Sequence, residues 1–429
     1  MMHYDTIIVG GGAGGVELAA KLGRKYGRGV GNEKVLLIDR SIVHIWKPTL
    51  HEVAVGTLDP QQEGLLYTTL ARHNHFSFTL GELTGFNAEA RQITIGELRD
   101  EDGSLLVPES TISFNTCVLA IGSGSNSFGT KGFEHAHTLE NAQDAQQFQK
   151  YLFGRFLQAS HSDKRNLNIA IIGAGATGVE LAAEMTEAYN EIHQIIGVAN
   201  RFRIEINLIE AAPRILSVMP EQVSEQSMQI LERKQINVHV GTKVNEITEH
   251  LVVTDKGEIP ADIVIWAAGI KASESNKHFG LETNHINQFI VDGKMATSAK
   301  HVYAIGDCSS LTQADGTRIP ATAQAAHQQA SFMAKQLWAM AQEKPFNDTF
   351  VYTDSGSLVS LGFDSGVGKV ATNPKHSSNT IFIKGLIAKW AHVSLHLLHH
   401  FTVLGFRRTL LLALARLAQK RISGRLKLH

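Results

Sequence analysis

The pattern of hydrophobic and polar residues near the N-terminus predicts a strand, a tight turn and a helix in succession. Residues 6–9 (TIIV) are β-branched and mostly apolar, which indicates a buried strand, and a helical pattern starts at Val16. Between them, Gly10, Gly12 and Gly15 have the spacing G-x-G-x-x-G. In that arrangement the first glycine allows a sharp turn, the second admits a pyrophosphate near the backbone, and the third lets the helix pack on the strand. The stretch therefore predicts a dinucleotide-binding unit.

A carboxylate follows at the distance that such a unit requires. Residues 34–39 (KVLLID) predict a second buried strand that ends in Asp39. In dinucleotide-binding units an acid at this point binds a ribose hydroxyl. The alternative is a polar residue that closes the strand.

The same pattern occurs a second time in the chain. Residues 179–183 repeat residues 16–20 letter for letter (VELAA), and they follow another buried strand and glycine turn. The glycines of this turn keep the first spacing and are Gly173, Gly175 and Gly178. A strand over residues 203–210 then ends in a second acid, Glu210. Two copies predict two Rossmann-like nucleotide-binding domains, which can hold two dinucleotides face to face for hydride transfer.

Other segments in which apolar residues recur at regular spacing complete the predicted architecture. Alternating residues between Phe76 and Phe114 predict an antiparallel meander. Two buried strands with glycine ends, 116–122 and 262–269, match each other and indicate duplication of a whole domain plan. The remaining predicted elements are helices over 140–157 and 221–234 and a hairpin formed by 237–250 and 251–259.

Charge is balanced over the whole chain but not along it. The 429 residues, enough for two or three domains, include 40 Lys and Arg against 41 Asp and Glu. No Asp or Glu follows Asp364, whereas eleven Lys and Arg do. A basic C-terminal region on an acidic body suggests an anionic partner, which is either a lipid surface or a nucleic acid.

The last part of this basic region predicts an amphipathic helix over residues 407–428. Leu410, Leu411, Leu414 and Leu417 fall on one stripe, and most of the basic residues fall on the other side. A basic amphipathic helix lies in a membrane interface rather than crossing it, so an anionic lipid surface is the favoured partner and no nucleic acid is expected. The alternative is a helix that packs on the body or joins two copies as a homodimer.

Four histidines lie just before that helix at spacings that resemble a metal site. They are His392, His396, His399 and His400. No carboxylate or cysteine nearby completes a ligand set, so we predict no metal site and interpret the histidines as a polar helix face opposite Leu386, Trp390 and Phe401.

A further strand ends late in the chain in the segment HVYAIGDCS (301–309). Together with the two glycine turns and the two matched strand ends, this segment resembles the flavoprotein reductases that contain two dinucleotide-binding domains. The resemblance spans roughly residues 4–335. It implies FAD on the first glycine turn and NADH or NADPH on the second. It also places Asp307 at the flavin ribitol and pyrophosphate, and Gly122 and Gly269 at the cofactors.

Further segments narrow the resemblance to the type II NADH dehydrogenases, which are single-chain, non-pumping NADH:quinone oxidoreductases. Residues 320–330 (PATAQAAHQQA) resemble their quinone-site motif, and WKPTLHEVAVG and IFIKGLIAKW resemble two other segments. Cys117 and Cys308 form no paired motif, which argues against disulfide reductases and sulfide:quinone reductases. Both cysteines are expected to be small buried residues.

This resemblance assigns the remaining site residues. Ala323 would lie at the flavin, and Gln324, Gln328, Lys384 and Ile387 near the quinone. Glu180 would lie near the nicotinamide and the flavin, where it relays a proton or positions the nicotinamide. Glu17 occupies the equivalent place in the first copy, so Glu180 is alternatively a remnant of duplication. The glutamines are alternatively a solvated helix face, and Lys384 an ordinary exposed lysine.

The sequence thus predicts an α/β fold with two Rossmann-like dinucleotide-binding domains, an added antiparallel meander and a C-terminal amphipathic helical membrane-binding region. We expect an FAD-binding domain (1–122 and 286–335), an NADH-binding domain (123–285) and a quinone-site and membrane-anchoring region (336–429). Glu210 would favour NADH over NADPH, because a 2′-phosphate would face a carboxylate.

The resemblance implies hydride transfer from NADH to FAD and then reduction of a membrane quinone. It further implies a peripheral protein on the cytoplasmic face of the bacterial inner membrane. Two alternatives stay open. One is a soluble reductase that delivers electrons to an iron–sulfur protein and does not need the basic tail. The other is an NADH-sensing flavoprotein whose tail binds nucleic acid.

Overall fold

The computed structural model describes residues 2–162, 166–195, 197, 200–371, 380–422 and 426–427 of the chain. The helices of these residues are α1 (Ala13–Tyr26), α2 (Val30–Lys34), α3 (Leu50–Val55), α4 (Pro60–Glu63), α5 (Tyr67–Asn74), α6 (Ala142–His161), α7 (Ala176–Ile195), α8 (Glu221–Arg233), α9 (Ala323–Ala341), α10 (Leu386–Leu404) and α11 (Phe406–Ile422). Short 3₁₀ helices lie at Lys47–Thr49, Phe133–His135, Glu274–Phe279 and Gly306–Cys308.

The strands follow the same chain order. They are β1 (Met2–Val9), β2 (Val35–Asp39), β3 (Val43–His44), β4 (Leu65–Leu66), β5 (Ser77–Leu80), β6 (Leu83–Asn87), β7 (Gln92–Ile95), β8 (Leu98–Arg99), β9 (Leu105–Val107), β10 (Ser110–Leu119), β11 (Gly124–Ser125), β12 (His137–Thr138), β13 (Asn166–Ile172), β14 (Arg203–Ile209), β15 (Asn237–His239), β16 (Val244–Ile247), β17 (Leu251–Thr254), β18 (Gly257–Pro260), β19 (Ile263–Trp266), β20 (Ile270–Lys271), β21 (Phe289–Ile290), β22 (Val302–Ala304), β23 (Ser309–Ser310), β24 (Gly356–Ser360), β25 (Gly366–Ala371) and β26 (Thr380–Lys384).

The first large sheet is built around β1, the strand before the first glycine turn. Its order is β5-β2-β1-β10-β7-β6, and β22 also pairs with β10. The pairs among β5, β2, β1, β10 and β22 are parallel, whereas β6 and β7 form the antiparallel meander. Residues 116–122, predicted as a strand of their own, are instead the end of β10 and the turn after it. Because β22 comes from residues 302–304, the sheet joins distant parts of the chain.

The second large sheet is fully parallel, in the order β12-β19-β13-β14-β15. The prediction that residues 237–250 form one arm of a hairpin was wrong for the first part of this segment. Residues 237–239 form β15 at the edge of this sheet, and the antiparallel set is β16-β17-β18. The predicted α/β class with two Rossmann-like sheets and a meander is confirmed.

Two large apolar cores lie under these sheets. One surrounds β1, with Ile7 and Ile8 fully buried, and includes residues of α1 and α9. The other surrounds β13 and also takes in Val53 of α3 and Val359 of β24. Segments from both ends of the chain therefore pack against α7, the helix that follows the second glycine turn.

The C-terminal region consists of the antiparallel sheet β24-β25-β26 and the helices α10 and α11. The sequence predicts a polar histidine face on α10 but not its orientation, and in the structure this face points inward. His392, His399 and His400 are buried, while Ile387 and Trp390 are 69% and 65% exposed. The histidines meet partners inside the protein, described below, and the apolar face is left on the surface.

Helix α11 ends earlier than the sequence predicts. Residues 426 and 427 are not helical, and the Lys427 amide donates to the Gly56 carbonyl at 2.7 Å. Residues 423–425 and 428 of the predicted helix lie outside the described residues. Leu411 and Leu414 are exposed as expected, but Arg416 turns inward and pairs with Glu63. Across the described ranges, the hydropathy and length of the helices fall short of what a membrane span needs.

Candidate functional site

The first glycine turn has the geometry of a phosphate cradle. Gly10 has a φ of +100°, and a Cβ there would lie 2.3 Å from the Ala120 carbonyl oxygen. A Cβ on Gly15 would lie 1.8 Å from the Gly10 carbonyl oxygen. A Cβ on Gly12 would meet nothing within 4 Å, and α1 begins at the next residue. The turn thus requires glycine at both ends and leaves open space at its centre, beside the free N–H groups of a helix N-terminus.

The second turn repeats this geometry closely. Gly173 has a φ of +103°, and its Cβ would lie 2.7 Å from the Ala268 Cα atom. A Cβ on Gly178 would lie 1.9 Å from the Gly173 carbonyl oxygen, and one on Gly175 would meet nothing within 4 Å. Both turns therefore fit the pyrophosphate of a dinucleotide.

Each of the two predicted acids accepts a hydrogen bond from a backbone amide of the glycine turn that precedes it. The Asp39 carboxylate accepts from the Gly11 amide at 2.6 Å and the Ser41 amide at 2.8 Å. Glu210 accepts from the amides of Ala174 at 2.7 Å and Ala212 at 2.8 Å. This loop-holding role escaped the sequence analysis. Both side chains are half-buried, and the ribose contact stays a prediction.

The late Gly-Asp turn lies beside the first glycine turn. A Cβ on Gly14 would lie 3.3 Å from Ile305 Cδ1 and 3.4 Å from Ala326 Cβ, so the starts of α1 and α9 adjoin. Ala323 is the first residue of α9. The Asp307 carboxylate accepts from the Ser123 hydroxyl at 3.4 Å.

The residues flanking Asp307 are held by further contacts. The Gly306 amide donates to Gln329 Oε1 at 2.7 Å, and Gln288 Nε2 donates to the Asp307 carbonyl at 2.9 Å. Lys47 Nζ donates to the Ser123 carbonyl at 2.8 Å. Lys47 therefore belongs to this site, although the sequence analysis missed it; the segment WKP was its only signal.

Gly122 and Gly269 end the two matched strands in left-handed turns, with φ of +72° and +64°. Such values favour glycine. The equivalence of the two strand ends, predicted from their letters, is thus visible in their backbone geometry.

Glu180 is buried beside the C-terminal sheet. Its Oε1 atom accepts from the Ser360 amide at 2.9 Å, and its Oε2 atom lies 3.7 Å from His51 Nδ1. Burial raises the pKa of Glu180 to about 8, so the carboxyl holds a proton at neutral pH. Burial likewise lowers the pKa of His51 to about 3, so this imidazole is neutral. The arrangement can store and donate a proton.

Glu17, the equivalent residue in the first copy, is in the opposite state. Although burial alone would raise the pKa of Glu17, hydrogen bonds from His327 and His399 and the charge of Lys21 hold it well below its usual range. The distances are 2.6 Å to His327 Nδ1, 2.8 Å to His399 Nδ1 and 3.1 Å to Lys21 Nζ. Glu180 therefore differs chemically from its twin.

Two further charged residues near Glu180 escaped the sequence analysis. Lys389 Nζ donates to the Ser360 hydroxyl at 2.6 Å and lies 3.6 Å from Glu184 Oε1. The sequence could have indicated Glu184, because this residue lies one helical turn after Glu180. The sequence could not have placed Lys389 beside Glu180, because only the tertiary fold brings α10 to α7.

The predicted quinone residues do not all meet. Gln324 Oε1 accepts from the Tyr352 hydroxyl at 2.9 Å. Gln328 pairs with Thr353 in both directions, donating to its carbonyl at 2.8 Å and accepting from its amide at 3.0 Å. Both glutamines are half-buried, whereas Lys384 ends β26 and is exposed. The two glutamines thus fix the segment before β24 onto α9.

Cys117 and Cys308 are free and fully buried, as the sequence predicts. Burial raises the pKa of Cys308 to about 12 and raises that of Cys117 as well. Both are therefore unreactive thiols. Among the described residues, we found no group of three or more His, Cys, Asp or Glu arranged to hold a metal ion.

Known proteins match nearly the whole chain. Residues 4–330 match the profile of the pyridine nucleotide-disulphide oxidoreductase family. A type II NADH:quinone oxidoreductase of Haemophilus influenzae is 37% identical, over 99% of this chain and 100% of that protein. One from Staphylococcus saprophyticus is 27% identical, over 89% of this chain and 93% of that protein.

Among solved structures, NDH2 of Plasmodium falciparum in complex with NADH superposes with a TM-score of 0.82. It covers 98% of this chain and 99% of its own, at 18% identity. This likeness concerns the fold, which extends to the C-terminal region.

Proposed function

We infer that the chain oxidises NADH and reduces a quinone, since it belongs to the type II NADH:quinone oxidoreductases within the pyridine nucleotide-disulphide oxidoreductase family. Its cofactors are FAD and NADH. FAD, when bound, accepts a hydride from NADH and passes two electrons on to the quinone. The observation that carries this function is the pair of matching glycine turns, each open at its central glycine.

The first turn is proposed to hold FAD in a domain of residues 1–122 and 286–335. Gly10 and Gly15 shape the turn, and Gly12 leaves room for the pyrophosphate. Asp39, on the first turn, and Asp307, beside the start of α9, are proposed to bind the ribose and the ribitol-pyrophosphate part. Gly122 and Ala323 would border the flavin.

The second turn is proposed to hold NADH in a domain of residues 123–285. Gly175 admits the pyrophosphate, and Glu210 takes the adenosine ribose. Glu210 is expected to select against a 2′-phosphate by charge repulsion. Gly269 would border the nicotinamide.

Glu180 is proposed to supply a proton to the quinone. Quinone reduction consumes two electrons and two protons, and a hydride brings only one proton with its two electrons. The buried, protonated carboxyl of Glu180 is suited to give the second proton.

The quinone is proposed to lie in the C-terminal region 336–429 and the adjoining start of α9. Gln324 would orient a quinone carbonyl by donating to it through Nε2, while its Oε1 atom keeps the bond from the Tyr352 hydroxyl. Gln328 would hold the segment at Thr353 in place, and Lys384 would line the entrance from the exposed side.

The exposed apolar faces of α10 and α11 are proposed to rest on an anionic lipid surface. Ile387, Trp390, Leu411 and Leu414 would enter the lipid, and the basic side chains would meet the headgroups. The protein would then be peripheral, on the cytoplasmic face of the bacterial inner membrane, and would reduce a membrane quinone without pumping protons. A soluble reductase of an iron–sulfur protein does not need such faces, and a homodimer would have to leave them free.

Replacing Gln324 tests the quinone assignment. We expect Gln324→Leu to slow the oxidation of the reduced enzyme by quinone and to leave its reduction by NADH unchanged. Loss of one hydrogen bond in a desolvated site costs about 1–3 kcal/mol, which is roughly a 5- to 150-fold effect. Stopped-flow absorbance of the flavin separates the two half-reactions. Equal slowing of both, or of neither, would remove Gln324 from the quinone site.

A further inference from the structure

Helix α7 repeats the start of α1 with one change of charge. After the identical stretch VELAA, α1 continues with Lys21 and α7 with Glu184. Lys21 lies one turn after Glu17 and forms an ion pair with it at 3.1 Å. Glu184 occupies the same place relative to Glu180, so the second copy has an acid where the first has a cation.

A cation reaches this pair from another part of the chain. Lys389 of α10 lies 3.6 Å from Glu184 Oε1 and donates to the Ser360 hydroxyl at 2.6 Å. The Ser360 amide in turn donates to Glu180 Oε1 at 2.9 Å. Glu184 is 2% exposed, and its Oε2 atom is buried without a hydrogen-bond partner in the described part of the chain. The three ionisable groups thus form one cluster between α7, β24 and α10, in which both carboxyl groups are buried.

We propose that Glu184 and Lys389 are positioning residues that make Glu180 a proton store for quinone reduction. Glu184 keeps a proton on Glu180, because two neighbouring buried carboxylates cannot both be ionised at low cost. Lys389 stabilises the single negative charge that remains after the proton has left. This inference rests on the proposed function and adds the means by which Glu180 is kept protonated.

The proton balance of the reaction requires one such donor per turnover. NADH, one solvent proton and quinone give NAD⁺ and quinol. The hydride supplies two electrons and one of the quinol protons. The O–H bond of Glu180 breaks to supply the other, and Glu184 and Glu180 then recover one proton from solvent before the next turnover.

The other titratable groups around the pair do not replace Lys389. From α3 come His51, which burial keeps neutral with a pKa of about 3, and Glu52, which adds a negative charge. From α10 comes His392, whose pKa burial lowers to about 4. Lys234, at the end of α8, is paired with Glu187. Burial raises the pKa of both carboxyls of the pair, in keeping with a shared proton.

Two substitutions with opposite charge effects test the proposal through a pH profile. In a plot of the rate of quinone reduction against pH, the rate should fall at alkaline pH, where Glu180 loses its proton. This fall is the alkaline limb of the profile. Glu184→Lys recreates the α1 arrangement and should move this limb about 1–3 pH units lower. Lys389→Met should move it about 1 unit higher. Glu225→Gln, which removes an exposed carboxylate from α8, is the control and should leave the limb in place.

An infrared titration of the FAD-loaded, full-length protein gives a readout without turnover. The C=O absorption of protonated carboxyl groups should decrease in the wild type as pH rises through 7 to 9. Glu180→Gln should remove this step, and Glu184→Lys should shift it to lower pH. Where Glu184→Lys does not fold, Glu184→Gln should give a smaller shift in the same direction.

Unchanged limbs and unchanged infrared steps in the Glu184 variants would overturn the proposal. Shifts of the same sign in the Glu184 and Lys389 variants would overturn it as well. Failure of the proposed function looks different, because a protein that does not reduce quinones would still show the infrared step and its shifts.

Discussion

Glu17 and Glu180 show how little of a residue's chemistry lies in its local sequence. Both stand in the stretch VELAA on a helix that follows a glycine turn. Glu17 meets three hydrogen-bonding or charged partners and is ionised, whereas Glu180 meets an amide and an acid and holds a proton. Spacing predicts where a side chain stands, and its tertiary neighbours decide its charge.

The buried proton of Glu180 predicts a pH-dependent stability. Burial raises its pKa from 4.5 to about 8, so the folded state binds this proton more tightly than the unfolded state does. The resulting stabilisation is present in full below pH 4.5 and is lost as pH rises towards 8. In Glu180→Gln, the free energy of unfolding should therefore fall less between pH 5 and 8, by roughly 2–5 kcal/mol at about 1.4 kcal/mol per pKa unit.

Denaturant unfolding at a series of pH values measures this difference. Glu225→Gln is the control, since Glu225 is an exposed residue of α8. If Glu180→Gln and wild type lose stability in parallel, Glu180 is ionised in the folded protein at neutral pH.

The glycine turns allow each repeat to be tested by itself. Gly12 has a φ of −56° and open space at its Cβ position, so Gly12→Ala should fold but lose FAD affinity by at least about 10-fold through contact with the pyrophosphate. Gly175→Ala should keep FAD and raise the KM for NADH. Bound flavin absorbance and steady-state kinetics distinguish the two variants.

Gly15→Ala is the comparison variant that should disturb the fold itself, because its Cβ atom would lie 1.8 Å from the Gly10 carbonyl oxygen. It should lower the thermal midpoint of the cofactor-free protein, which Gly12→Ala should not do. Loss of NADH binding in Gly12→Ala with FAD retained would reverse the assignment of the two turns.

At the scale of elements, α10 is an amphipathic helix with its polar face inward. His44 Nδ1 lies 3.0 Å from the Gly11 carbonyl and donates to it, and burial keeps His44 neutral, so its Nε2 atom accepts from His399 Nε2 at 2.8 Å. His399 Nδ1 faces the Glu17 carboxylate at 2.8 Å. His399 therefore bridges His44 and Glu17 through its two ring nitrogens and fastens α10 to α1.

The orientation of α10 could not be predicted from its pattern. A helical wheel separates the histidines from Leu386, Trp390 and Phe401, but it does not say which side faces the protein. The usual assignment of polar residues to solvent fails here because the partners of His399, Glu17 and His44, lie far away in the sequence. The glycine turns, by contrast, depend on residues a few positions apart, and their spacing predicts them directly.

The outward apolar face predicts membrane binding through individual side chains. Ile387→Ser combined with Trp390→Ser should weaken binding to anionic vesicles by at least about 10-fold, since burial of each such side chain contributes about 1.5–3 kcal/mol. Vesicle sedimentation at several salt concentrations measures the effect. Val218→Ser is the matched control, because Val218 is 94% exposed and lies far along the chain from α10.

Unchanged binding of the double variant would show that α10 does not touch the lipid. Such surface variants are cleaner than removal of α11, because Arg416 and Lys427 tie this end of the chain to Glu63 and Gly56. A truncation would disturb the fold together with the surface.

At the scale of the whole molecule, the C-terminal region connects the two copies of the duplicated plan. Helix α10 contacts α1 through His399 and approaches α7 through Lys389. Helix α10 therefore carries part of the surface that is proposed to meet the lipid and contacts both buried carboxyl sites. The sequence predicted both nucleotide-binding units and the fold class, but it did not indicate this link, because it joins residues 17, 184, 389 and 399.

Anaerobic stopped-flow mixing of the FAD-loaded protein tests the central claim most directly. NADH should bleach the flavin absorbance, and a short-chain quinone added in a second mixing step should restore it, each at a rate no lower than steady-state turnover. An enzyme that NADH bleaches but that only an iron–sulfur protein, and no quinone, reoxidises would contradict the account.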